Sequence, residues 1–304
     1  MGTPEFAVPS LEYLYENGYN ISLVITQRDK PRGRGKRVLA TPIKEKALEL
    51  GLEVYQPDSV NSKESIDKLR KISPDCIIVA AYGQILKKDI LNLPPYGCLN
   101  IHASLLPKYR GAAPINWAII NGEKETGVTI MKMEQGLDTG DMLKFETIPI
   151  EAEDDSESIH DKLSQLGGRL IVETLKDIKS GNITSTPQDD ELSTYAPKIS
   201  KETGRIDWNS SGDNIINLIR GLKPWPSAYI IYKGHKVKIH KAKSIKKFID
   251  GDNGVIIKVS NEGIYVNCAD SCIVIDELQF PGKRKMDVAE YLRGNQLDVN
   301  IKLG

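Results

Sequence analysis

The chain has 304 residues, with 41 Lys+Arg against 41 Asp+Glu and 40% apolar content. At the usual domain size of about 100 to 200 residues this is a folded globular protein of roughly two domains, which excludes disordered, collagenous and disulfide-scaffold classes. The neutral total hides an uneven distribution: residues 201–304 carry 17 Lys+Arg against 12 Asp+Glu, which leaves 24 against 29 for residues 1–200, so the C-terminal third is the basic part.

No apolar run of about 18 residues and no basic-then-apolar leader is visible. The four cysteines, Cys76, Cys98, Cys268 and Cys272, lack C-x-x-C spacing. The expectation is a cytoplasmic protein with free thiols and no metal site.

In chain order, Gly2-Thr3-Pro4 has the form of the glycine-bearing turn that follows the first strand of a nucleotide-binding α/β fold. Almost no chain precedes it. The first strand is therefore expected to be missing, with Met1 an internal start and further apolar residues upstream; in such sheets that strand is central, beside the point where ligands bind. A helical pattern (SLEYLYENG), an apolar strand at 21–26 (ISLVIT), a helix (PIKEKALELG) and a short strand (LEVYQ) follow. KESIDKLRKI, DILNLP and PINWAIING read as helices, and DCIIVAAYG, GCLNIHA and TGVTIMKM as strands. Continuous apolar strands alternating with helices predict an open, mostly parallel Rossmann-like α/β sheet covered on both faces. The helix SIHDKLSQLGGRLIVETLKDIKSG closes a first domain over 1–183. Residues 184–204 are polar and aperiodic, and predict a surface linker. Over 205–304, five or so short strands between Gly, Asp and Asn turns (AYIIYK, HKVKIHKA, GVIIKV, GIYVNCA, CIVIDELQF) predict a small OB-like β-barrel domain.

The stretch Asn100 to Asp141 carries the chemistry. Asn100 and His102 are two apart, so on a strand both side chains point to one side, and the loop SLLPKYRG leaves that side open. Asp138 arrives in the turn-rich GLDTG. Taken singly, His102 reads as a satisfied structural histidine, Asn100 as a turn residue and Asp138 to Asp141 as an N-capping loop. Together, at the carboxyl end of a parallel sheet, they read better as a site for moving a carbonyl-bearing group. Asn donates to a developing oxyanion, His moves a proton and Asp orients the imidazole. No G-x-S-x-G elbow is present and no Cys adjoins His102, so direct attack by a substrate amine is the simpler chemistry.

The segments GTPEFAVPSL, TQRDKPRGRGK, TPIKEKALE, AAYGQIL, NIHASLLPKYRGAAPINWAI, TGVTIMKMEQGLDTGD, TYAPKI and LKPWPSAY resemble the methionyl-tRNA formyltransferase family, in order and over nearly the whole chain. NIH, SLLP and DTG are shared with all 10-formyltetrahydrofolate-dependent formyltransferases; RGAAP, the GRGK loop and the C-terminal barrel point to a tRNA substrate. The resemblance implies transfer of the formyl group of 10-formyltetrahydrofolate to the α-amine of methionyl-initiator tRNA, with Asn100, His102 and Asp138 as the catalytic trio. It also implies a folate shelf along Ser104, Leu105, Leu106 and Pro107, and a pterin pocket near Ala81, Tyr82, Gly83, Gln84, Ile85 and Leu86, with core packing the alternative reading of Tyr82.

The loop Arg28 to Arg37 holds six basic residues with Gly and Pro. It reads either as a solvated charged loop or as a phosphate-backbone contact. The resemblance assigns it to the tRNA acceptor stem through Arg32, Arg34, Lys36 and Arg37, with Arg28 standing where the family usually has Pro. Lys198 and Lys201 are expected to meet the same arm. Lys233, Lys236, Lys238, Lys241, Lys243, Lys246 and Lys247 give the barrel either a solvated face or an oligonucleotide platform. A monomer that touches no membrane is expected. The alternative is a formyltransferase acting on a small amine, which shares the trio but lacks the basic loop and barrel.

Overall fold

The computed structural model describes residues 1–32, 37–246 and 251–304. The chain divides into two compact units: Met1–Pro114 with Glu125–Pro149 and His160–Ala196, and Ile115–Lys124 with Ile150–Ile159 and Pro197–Gly304. Of the expected linker, residues 184–196 thus belong to the first unit and 197–204 to the second.

In chain order the elements up to residue 196 are α1 (Val8–Glu16), β1 (Val24–Ile25), β2 (Lys30–Arg32), β3 (Arg37–Leu39), α2 (Pro42–Glu49), β4 (Val54–Tyr55), α3 (Lys63–Ile72), β5 (Ile77–Val79), α4 (Lys88–Leu91), β6 (Cys98–His102), β7 (Arg110–Gly111), α5 (Pro114–Ile120), β8 (Glu125–Lys132), β9 (Met142–Pro149), α6 (Ser156–Ser180) and β10 (Tyr195–Ala196). Local chemistry sets several starts. Thr41 and Ser62 each accept the N–H of the residue three further on, capping α2 and α3, and Pro42 fits the first turn of α2, where its missing N–H costs nothing.

The first unit's sheet changes character across its width. β1 runs parallel to β4 and β5 parallel to β6, whereas β6, β8 and β9 are antiparallel, so the expected parallel pattern holds for one half. Six consecutive residues of β8 are buried, the mark of a strand covered on both faces. Met1 and Gly2 take the position expected for the first strand. The Gly2 N–H donates to Ile25 O at 3.0 Å, the Ala80 N–H to Met1 O at 2.9 Å, and the Met1 ammonium to Ile78 O at 2.6 Å. Burial lowers the pKa of that ammonium to about 6. A cavity of about 640 Å³ adjoins it, lined among others by Leu11, Leu14, Val24, Ile77 and Leu175. Inside α6, Gly167 lets the helix come close to the strand that carries the site: a Cβ there would lie 2.6 Å from the Ile101 side chain of β6.

The second unit contains α7 (Gly212–Gly221), β11 (Ala228–Tyr232), β12 (His235–Ile245), β13 (Ile256–Ser260), β14 (Gly263–Asn267), β15 (Cys272–Gln279), β16 (Met286–Asp287) and α8 (Val288–Leu292). Its strands are antiparallel in the order β11-β12-β15-β14-β13, with β16 on β15. Residues 300–304 join the two outer strands: Gly304 exchanges bonds with Ile231 of β11, while the N–H of Asn300 donates to Ile256 O and the Ile256 N–H to Ile301 O on β13. That seam gives the barrel its closure, and Ile230, Val237, Ile239, Val266, Ile273 and Ile275 fill the interior.

A bulge shapes the barrel's charge. The register of β12 against β15 shifts between Ile239 and Ala242. One extra residue reverses the in-out alternation, so even-numbered Lys236 and Lys238 and odd-numbered Lys241 and Lys243 all lie opposite the inward-facing Val237, Ile239 and Ala242. An uninterrupted strand would have split them between two faces.

Candidate active site

β6 carries both Asn100 and His102. Asn100 sits between Val79 of β5 and Met131 of β8, and His102 opposite Thr129. The Asn100 side chain is half-buried, and its carboxamide bonds to nothing among the described residues. His102 is 5% exposed, held by a hydrogen bond at one ring nitrogen and facing a carboxylate with the other. Nε2 is 3.0 Å from the Tyr109 carbonyl, to which it donates, and Nδ1 faces Asp138 with 3.7 Å to Oδ2. The tautomer follows from this network, since a carbonyl accepts only. At 3.7 Å the carboxylate acts on the imidazole through its charge.

The loop after β6 is tied inward. Ser104 Oγ donates to Lys108 O at 2.7 Å, and Thr129 Oγ1 donates to Ser104 O at 2.7 Å while accepting the Leu106 N–H at 3.2 Å. Ser104 and Leu106 are therefore buried, and the half-buried Leu105 and Pro107 form the part of the expected shelf that faces outward. Tyr109 follows with φ +61°, its N–H on Thr194 Oγ1 at 2.8 Å.

Asp138 lies on the loop between β8 and β9 with φ +53°, a left-handed conformation that Asp tolerates better than most residues. Oδ2 accepts the Gly111 N–H at 2.9 Å. Gly111 is glycine for two reasons: its φ is +118°, and a Cβ would stand 2.7 Å from the Tyr195 ring and 2.8 Å from Ala196 O. β10 pairs there with β7, so segment 184–196, expected as linker, is part of the site's frame.

The expected pterin region is an exposed-buried alternation: Ala81, Gly83 and Ile85 are exposed, Tyr82 and Leu86 buried. Tyr82 is core, packed with Val79, Ile90 and Cys98, and burial pushes its phenol up to about 12. Its carbonyl accepts from Thr3 Oγ1 and Gln27 Nε2. Gln84 accepts the Val60 N–H at 2.9 Å. The Ile85 carbonyl accepts from Asn61 Nδ2 at 2.8 Å. Cys98 has 0% exposure and burial pushes its thiol up to about 12, which removes it as a nucleophile beside His102.

Of the expected tRNA contacts, Arg34 and Lys36 lie outside the described residues, as does Lys247, and Arg32 and Arg37 are placed by their backbone in the β2–β3 hairpin. Lys198 and Lys201 are exposed in the second unit. There Lys236 lies 3.4 Å from the centre of the Tyr229 ring, and its pKa is lowered, first by burial. Four groups escaped the sequence reading: the Tyr109 carbonyl, the Gly111 N–H, Arg110 and Gln188. Arg110 and Gly111 left a signal as the first two residues of RGAAP, without their roles being legible.

Residues 1–175 match the formyl transferase family model and residues 198–296 the formyl transferase C-terminal domain. The chain is 54% identical over 298 residues to the methionyl-tRNA formyltransferase of Caldanaerobacter subterraneus subsp. tengcongensis, covering 98% of this chain and 96% of that one. It is 50% identical over 304 residues to that of Clostridium acetobutylicum, covering 100% and 98%. Among solved structures, WlaRD, a sugar 3N-formyl transferase crystallised with dTDP and 5-N-formyl-THF, aligns with TM-score 0.67 at 21% identity, over 93% of this chain and 97% of that chain. HypX from Aquifex aeolicus in complex with tetrahydrofolic acid aligns with TM-score 0.59 at 21% identity, over 84% and 47%. At these identities the two structures speak for the fold alone.

Proposed function

The chain belongs to the methionyl-tRNA formyltransferase family, and on that premise we propose that it moves the formyl group of 10-formyltetrahydrofolate to the α-amine of methionyl-initiator tRNA through Asn100, His102 and Asp138. The observation that carries the residue assignment is the imidazole of His102, clamped by a main-chain carbonyl at Nε2 and facing a carboxylate at Nδ1, two strand positions from the half-buried Asn100.

Bound 10-formyltetrahydrofolate supplies an electrophilic formyl carbon on a nitrogen leaving group. The uncharged amine adds to that carbon, its lone pair forming the new C–N bond while the carbonyl pair moves onto oxygen. The Asn100 N–H donates to that oxygen as its charge grows. With Nε2–H committed to Tyr109, Nδ1 is the nitrogen free to take the amine's proton, and Asp138 stabilises the cation so formed. The proton then passes to the folate nitrogen as its bond to the formyl carbon breaks, which restores the neutral imidazole. For the donor, the exposed segment Ala81, Gly83 and Ile85 borders the proposed pterin pocket, and the half-buried Leu105 and Pro107 offer it apolar contact. For the tRNA, the row Lys236, Lys238, Lys241 and Lys243 supports backbone binding, together with Lys198, Lys201 and the Arg32 to Arg37 segment.

The test is formation of formylmethionine from methionyl-tRNA and 10-formyltetrahydrofolate, scored after deacylation. Asn100→Ala and His102→Ala are each expected to lower turnover about 10² to 10³-fold. Unchanged turnover in both would overturn the residue assignment, and preference for a small amine over methionyl-tRNA would overturn the substrate.

A further inference from the structure

Between residues 184 and 192 every side chain is exposed except that of Gln188, which is half-buried. Its carboxamide is engaged at both ends. Oε1 accepts from Arg110 Nε at 2.9 Å, and Nε2 donates to the carbonyls of Asp138 at 2.8 Å and Gly140 at 2.7 Å. Arg110 is held at its backbone by the pairing of β7 with β10, and its Nη2 lies 2.8 Å from the exposed Asp190 carboxylate without hydrogen-bond geometry. Because a guanidinium can only donate, it sets which end of the amide is oxygen, and the NH₂ group must then face the two carbonyls. One is Asp138's own carbonyl and the other lies two residues on, so Gln188 holds the left-handed backbone that aims the Asp138 carboxylate.

We propose that Gln188 is a positioning residue for formyl transfer, clamping the loop so that the Asp138 carboxylate stays against Nδ1 of His102. It acts through Asp138. The proposal rests on the reading of Asp138 as the partner of His102. Among side chains of this length, only a primary amide both accepts from Arg110 and donates twice to carbonyls. A carboxylate keeps the shape and the Arg110 contact but turns an oxygen toward two carbonyl oxygens.

The test is a cycle of Gln188→Ala, Gln188→Glu, Asp138→Ala and the double variant Gln188→Ala/Asp138→Ala, measured as steady-state formylation of methionyl-tRNA. Both Gln188 variants are expected to lower kcat about 10- to 100-fold with KM for each substrate within about 3-fold. Gln188→Ala is expected to cost nothing further once Asp138 is Ala, since coupled residues are not additive. If the Ala variant fails to fold, the isosteric Glu variant carries the same comparison. Wild-type turnover in Asp138→Ala would sink the reading of Asp138. A large loss there with none in either Gln188 variant would sink this inference alone, as would an equal Gln188 effect in both backgrounds.

Discussion

Replacing Asp138 by Asn isolates the charge of the carboxylate. The amide keeps the side chain's shape and still offers an oxygen to the Gly111 N–H, which the carboxylate accepts at 2.9 Å. Oδ2 stands 3.7 Å from Nδ1 of His102. At that separation two unit charges interact by about 4.5 kcal/mol at an effective dielectric of about 20. The Asp138 side chain is 16% exposed, so water screens part of this, and about 2 to 4 kcal/mol is the expected share once the imidazole has taken the amine's proton. At about 1.4 kcal/mol per tenfold, Asp138→Asn should slow the chemical step by about 30- to 1000-fold. The measurement is the single-turnover rate with both substrates saturating, so that affinity does not enter. KM should hold steady, because the cation arises only along the reaction path. A fall below about threefold, or a loss confined to KM, would refute the assignment of Asp138 as the charge partner.

Gly111→Ala should lower stability by about 2 to 4 kcal/mol, from left-handed strain and the overlap of its Cβ with Tyr195 and Ala196. An unchanged denaturation midpoint would show that β7 and β10 do not hold this backbone. Cys98→Ala should leave turnover within about 3-fold, a barrier change well under 1 kcal/mol, because the buried thiol with its pKa near 12 is not a nucleophile. A tenfold or greater loss in a folded variant would reinstate a covalent route. Changing Lys236, Lys238, Lys241 and Lys243 together to Gln should weaken tRNA binding and flatten its salt dependence by roughly one slope unit for each phosphate no longer neutralised, with folate KM unmoved. Equal weakening of both substrates would make the lysine row structural only.

The sequence was most legible where the signal was periodic or chemical. Apolar runs located β5, β6 and β8, and two-residue spacing placed Asn100 and His102 on one side of β6. It was blind where order comes from main-chain bonding. Segment 184–196 has no apolar period, so it reads as linker, yet Thr194, Ala196 and Gln188 bond to the backbone of the site's loops. For Tyr82 the motif leaves pocket lining and core packing both open, and the structure puts it in the core; Ser104, expected on the shelf, spends its hydroxyl on Lys108. The lysine row needed the bulge in β12, which leaves no sequence mark of its own.

Both ionisable side chains of the site are held by main-chain groups of unusual conformation. Tyr109 at φ +61° offers its carbonyl to His102, and Gly111 at φ +118° offers its N–H to Asp138, which is itself at φ +53°. A non-glycine residue in this region costs about 1 to 2 kcal/mol, so the loops need support from outside. Pairing of β10 with β7 and the bond from the Tyr109 N–H to Thr194 provide it. The arrangement suits formyl transfer because groups that steady a developing charge act best when already in place, with no reorganisation during the step. It follows that damage to segment 186–196 should register in kcat before KM: the segment holds the loops of the site, and loosening it leaves the substrate-binding groups intact while letting the imidazole and carboxylate drift apart.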